Sequence, residues 1–138
     1  MKLWKTSTAD NKFRNSVKER DNWICARCGK DFKDNKKMYH CSHFWGETRS
    51  STRFNYDNCI GLCYICHYGD KVNGWEFNKQ GEYRDFMIKK LGEKKFNELT
   101  KLANSLMSRR ESIINFMKEY ETLPILWKAN SKKRKKVL

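Results

Sequence analysis

The sequence predicts a small α+β domain, a short sheet pinned by cysteines with one helix ahead of it and more helices behind. Three observations predict it. Two C-x-x-C pairs, Cys25 with Cys28 and Cys63 with Cys66, bracket 34 residues. Within the bracket, "MYHCSHFW" and "NCIGLC" are aromatic or apolar stretches of strand length. Beyond residue 80, apolar positions recur in helical rhythm.

Taken in order, "ADNKFRNSVKERDN" (residues 9–22) sets Phe13 and Val17 four apart among charges, which predicts a short amphipathic helix with Asp10 near its start. "WICARCGKDF" turns at Gly29, so its backbone can aim two sulfurs at one point. Residues 30–37 are mostly charged and read as a hairpin or loop. "MYHCSHFW" then places His43 on a strand, with His40, three residues earlier, on the opposite face in a supporting role. Residues 46–52 are small and polar, so the chain from His43 to Asn58 reads as a long excursion, and such loops are often functional. "NCIGLC" is the second strand, and "YICHYGDKVNG" predicts a helix that starts near Cys63 and ends by Gly74. In "GEYRDFMIKKLGEKKFNELTKLANSL", Phe86, Met87, Leu91, Phe96, Leu99, Leu102 and Leu106 follow a helical period broken at Gly92. "ESIINFMKEYETL" predicts a further helix that Pro124 ends, and "NSKKRKKVL" is a basic tail.

The composition narrows the partner. Among 138 residues, 30 Lys and Arg face 16 Asp and Glu, for a net charge of +14 and a sequence pI near 9.6. A polyanion is the expected partner, and nucleic acid is favoured over membrane. No long apolar run supplies an anchor, and the opening "MKLWKTSTADNKF" is too polar for a secretory signal, so a cytoplasmic protein is expected.

That setting bears on the six cysteines, because disulfides persist in oxidising compartments while paired cysteines elsewhere serve metal or redox work. Cys25, Cys28, Cys63 and Cys66 supply the ligand set of a closed structural zinc site. The bracketed residues are then a module pinned at both ends by Zn²⁺. Cys41 and Cys59 are left over and are expected to be buried as small apolar side chains. The chain divides accordingly into an N-terminal helical segment (1–22), a zinc-stabilised core (23–82), a C-terminal helical region (83–130) and the tail (131–138).

A four-cysteine zinc is saturated, so any chemistry must come from neighbouring groups: His40, His43, Asn58, His67 and Asn73. The series "CSHFW", "DNC" and "LCYICH" resembles the HNH nucleases of the ββα-metal, or His-Me finger, class in a zinc-pinned version. More narrowly, "YHCSHF", "RFNYDN", "CYIC" and "GEYRDFMIKKLG" resemble the phage NinG (Rap) recombination endonucleases, over roughly residues 23 to 100. The resemblance implies a metal-dependent DNA endonuclease acting on branched recombination intermediates such as Holliday junctions or D-loops, in the host bacterial cytoplasm if phage-encoded. It assigns His43 as general base, Asn58 as the residue that holds the loop and orients the base, and His67, with Asn73, as ligands of a catalytic Mg²⁺ or Mn²⁺.

Ser42 departs from the broad class, where an aspartate or histidine often precedes the base and binds the ion. This keeps open a non-catalytic, zinc-stabilised DNA-binding module as the alternative. Arg49 and Arg53 are expected at the phosphates flanking the cut, while Lys89, Lys90, Lys132, Lys133 and Arg134 add contacts without base preference. Symmetric cutting of a junction would suit a homodimer.

Overall fold

The computed structural model describes residues 4–69 and 73–122. Six α-helices and two strands occur among them, in the order α1 (Thr6–Arg20), β1 (Tyr39–His43), α2 (Ser50–Arg53), β2 (Cys59–Cys63), α3 (Tyr64–His67), α4 (Gln80–Leu91), α5 (Glu93–Ala103) and α6 (Arg109–Thr122), with a short 3-10 turn ahead of each strand. Helices around a small antiparallel sheet make this an α+β fold, as the sequence predicts.

The sheet is a single antiparallel pair, with Tyr39 opposite Cys63 at one end and His43 opposite Cys59 at the other. Side chains alternate across a strand, and along β2 Ile60 and Leu62 face one core while Cys59 faces the other. Ile60 and Leu62 join Cys25, Cys63, Cys66, Trp75, Tyr83, Met87 and Phe96 in one cluster. Cys59 joins Ala9, Phe13, Val17, Ile113, Phe116 and Met117 in the other. The first core therefore ties the cysteine segment to α4 and α5, and the second ties α1 to α6. The C-terminal helices share their cores with earlier elements, and α4 straddles the boundary expected between residues 82 and 83.

α1 forms because Ala9, Asp10, Phe13 and Val17 fall on one buried stripe at helical spacing. It begins three residues ahead of the expected Ala9 and stops where Asn22 and Trp23 take positive φ values of 55° and 60°. Asp21, at that exit, accepts the Gly61 N–H at 2.7 Å, so the end of α1 is fastened to β2. The cysteine loop is fastened to the same strand by the Ala26 N–H donating to the Gly61 carbonyl at 2.9 Å. Gly61 has to be glycine, since a Cβ there would run into the ring and hydroxyl of Tyr39, which lies across it.

α3 is shorter than the sequence predicts and ends at His67, not near Gly74. Gly69, at φ +56°, turns the chain, and any Cβ there would strike the Ile65 carbonyl. The returning chain pairs with α3 through Trp75 N–H to Cys66 O and Glu76 N–H to His67 O, both at 3.0 Å. This return sets Glu76 beside His67. The expected break at Gly92 is present: its φ of +84° ends α4, and its carbonyl accepts the Phe96 N–H as α5 begins. Pro124 and the basic tail lie outside the described residues.

Candidate functional site

The sulfur atoms of Cys25, Cys28, Cys63 and Cys66 all lie within 4.8 Å of one another. Zinc–sulfur bonds of about 2.3 Å in a tetrahedron put neighbouring sulfurs roughly 3.8 Å apart. Cys28 Sγ and Cys63 Sγ stand at 3.9 Å. The four cysteines thus form a candidate tetrahedral metal site compatible with structural zinc. Local backbone prepares one thiolate: burial pushes the Cys25 thiol up, but N–H groups of Cys28, Cys63 and Arg27 outweigh it and bring the group down to about 7. The Cys66 N–H points at Cys63 Sγ at 3.5 Å, but burial outweighs it and pushes the Cys63 thiol up, as it does that of Cys66.

Beside this site, the last residue of α3 is His67, only 5% exposed. Its Nε2–H donates to Glu76 Oε2 at 3.0 Å, which leaves the Nδ1 lone pair for the Nδ1–H of His40 at 3.1 Å. His40 is held neutral-leaning because burial, then His67 and Lys18, depress its pKa. Tyr68 stacks on His67 with ring centroids 3.9 Å apart.

His43 sits at the other end of β1. Its Nε2–H donates to the Arg53 carbonyl at 2.9 Å, so the lone pair belongs to Nδ1, which faces Glu47 Oε1 at 3.6 Å. Burial lowers its pKa, with Arg14 and Arg53 pushing the same way against Glu47 and the Arg53 hydrogen bond. A neutral imidazole with a fixed tautomer results. The excursion that presents it is braced by Asn58, fully buried, whose Oδ1 accepts from Trp45 N–H at 2.8 Å and whose Nδ2 donates to Trp45 O and Thr52 O at 2.9 and 3.1 Å.

The structure pairs His67 with His40, whereas the resemblance pairs it with His43. The reason lies in the strand: α3 follows β2 at the His40 end, and about 10 Å of strand separates residue 40 from residue 43 on opposite faces. Burial, then the carboxylates of Glu76 and Glu47, push the Tyr68 hydroxyl up. Asn73 offers its backbone carbonyl to Arg27 Nη1 at 2.6 Å. Ser42 faces the first core, where its hydroxyl meets that of Tyr83 at 2.9 Å.

The arginines depart from expectation. Arg53 is 7% exposed and donates from Nε and Nη2 to both oxygens of Asp10 at 2.9 and 2.7 Å, and from Nη1 to the Glu47 carbonyl at 2.7 Å. Its guanidinium is therefore spent inside the protein and not offered to a phosphate. Arg49 reaches the C-terminus of α5, donating to Ala103 O and Asn104 Oδ1 at 3.1 and 2.9 Å while covering the Trp45 ring. Lys89 and Lys90 are exposed on α4. Lys132, Lys133 and Arg134 lie outside the described residues.

Asp10, Arg14, Glu47 and Glu76 were not foreseen in these roles. Arg14 clamps Glu47 with hydrogen bonds of 2.9 and 2.8 Å, and Glu47 in turn flanks His43. Their spacing in the chain follows no local period, so only the fold brings them together. Cys59 is fully buried and Cys41 half-buried.

No helix among the described residues is long and apolar enough to cross a membrane. Compared with family models, curated proteins and solved structures, the chain matches none.

Proposed function

We propose that this protein is a DNA endonuclease of the HNH, ββα-metal kind that hydrolyses phosphodiesters of branched recombination intermediates. The observation that carries the reading is His43: a buried, neutral imidazole whose Nε2–H is fixed on the Arg53 carbonyl, leaving Nδ1 to accept a proton. In the reaction, a water gives its proton to Nδ1 as its oxygen bonds to phosphorus. The bond from phosphorus to one ester oxygen breaks, and that oxygen takes a proton from solvent. The net charge of +14 favours a polyanionic substrate.

The donors for the divalent ion that such chemistry uses would be His67 Nδ1 and, once its proton is carried on Nε2 instead, His40 Nδ1. Their Nδ1 atoms stand 3.1 Å apart, near the roughly 3.0 Å between adjacent ligands on a six-coordinate ion with bonds of about 2.1 Å. Glu76, on the far nitrogen of His67, is the carboxylate that orients a metal-binding imidazole. Imidazole donors favour Mn²⁺ over Mg²⁺. Held at the other end of β1 from His43, the ion would neutralise a neighbouring stretch of the DNA backbone and not the phosphate whose attacking water His43 deprotonates.

A second reading, a zinc-stabilised DNA-binding module without catalysis, is favoured by Ser42. Its hydroxyl is engaged with Tyr83 in the core and supplies nothing to an ion. Incubating duplex, flap, D-loop and four-way junction substrates with the protein in Mn²⁺ or Mg²⁺ separates the two. The nuclease reading expects cleavage, weaker by about a hundredfold or more in His43→Ala. Cleavage by neither protein, or equal cleavage by both, leaves the binding module.

A further inference from the structure

We infer that Cys41, His43 and Cys59 form a second metal site, distinct from the four-cysteine site, which takes a thiophilic divalent ion such as Zn²⁺ and withdraws His43 from proton transfer. The three side chains offer two sulfurs and a ring nitrogen, all within 4.8 Å of one another on the two paired strands. Cys41 and His43 share a face of β1, and Cys59 stands opposite His43 across the ladder. Two sulfurs and one imidazole are a ligand set that zinc accepts in three-residue sites, with a fourth position left for a further donor. The atoms already lie within 4.8 Å of one another, so closing around the ion to roughly 3.8 Å asks for at most small side-chain rotations.

Two further observations prepare the site. The Nε2–H of His43 donates to a backbone carbonyl, the arrangement that fixes the tautomer of a ligating imidazole and leaves Nδ1 the donor atom. Glu47 Oε1 lies 3.6 Å from that same Nδ1, within reach of the fourth position. On binding, two S–H protons leave to solvent as two metal–sulfur bonds and one metal–nitrogen bond form. The two thiolate charges cancel those of the ion, so the buried site gains no net charge.

The consequence rests on the nuclease reading: the lone pair that would receive a proton from water is held by the ion, and excess zinc silences the enzyme. The experiment counts metal first and activity second. Full-length protein equilibrated with excess Zn²⁺ and freed of unbound ion should hold one ion more per chain than Cys41→Ala treated in the same way, since the four-cysteine site and the His40–His67 pair are common to both. Cys41 is half-buried against the second core, so the variant is compared with wild type at matched ellipticity, and Cys41→Ser, which keeps the side chain's size, should lose the same ion. Adding that further ion should abolish nicking by the wild type while Cys41→Ala, which nicks normally without added zinc, continues. The same count in both proteins overturns the second site whether or not either protein nicks DNA. The further ion with undiminished nicking would overturn the withdrawal of His43.

Discussion

The two ends of the β1–β2 hairpin are held by different physics. At the Tyr39–Cys63 end, four sulfurs converge on a candidate metal site, where a bound ion would join the cysteine loop to the hairpin. At the His43–Cys59 end, the long excursion is held by the protein's own hydrogen bonds, the Phe44 N–H on the Asn58 carbonyl together with Arg53 on Asp10 and Asn58 on Trp45 and Thr52. An ion supplies its cohesion from outside and is lost with chelation, whereas a buried hydrogen-bond network fails only when one of its members is removed. The sulfur end should thus respond to the medium and the imidazole end to mutation.

The largest effect should come from removing zinc. Structural zinc contributes on the order of 10 kcal/mol in small domains, so a strong chelator should unfold residues 23–74, read as lost ellipticity and a shift in tryptophan fluorescence. Protein that keeps both signals after complete metal removal would show that the packed cores hold this end by themselves. Next comes Arg53→Met, which strands Asp10 at the imidazole end. Breaking a buried pair on one side costs about 3–5 kcal/mol, and denaturant midpoints of Arg53→Met, Asp10→Asn and the double variant should reveal a coupled pair. Independent, additive losses would break the comparison at this end.

Asn58→Ala should cost less, about 1–3 kcal/mol, because it leaves the Trp45 N–H and two carbonyls without that partner. The smallest effect is a pH slope. His43 and His40 have folded pKa values below the unfolded value of about 6.5, so the unfolded chain binds more protons as pH falls below it. Stability from these groups is present above that value and is lost on acidification. Urea midpoints in zinc-containing buffer should drop as pH is lowered from neutrality, with a shallower drop in His43→Gln.

Legibility divided along the same line. Cys25, Cys28, Cys63 and Cys66 could be found from spacing because a metal site is a local pattern repeated twice. The strands, the long excursion and the break at Gly92 were legible from alternation, small polar composition and helical period. The length of α3 was not, since Gly69 ends it by a close approach to the Ile65 carbonyl that no sequence period encodes. Arg53 resembled a phosphate ligand in isolation. Its partner Asp10 lies 43 residues away on α1, where it read as a helix-start residue, and only packing turns the pair inward. The pairing of His67 with His40 was likewise hidden, although the alternation that separates His40 from His43 was plain.

Tyr39 lying flat on Gly61 gives the hairpin a property akin to a ratchet tooth. Slipping either strand by one residue would drive a side chain under that ring, so the ladder cannot slide. Five paired rungs then act as a ruler of about 14 Å between the sulfur end and His43. A library at position 61 should return glycine alone, and the span between the two ends is a dimension that loop changes elsewhere leave untouched.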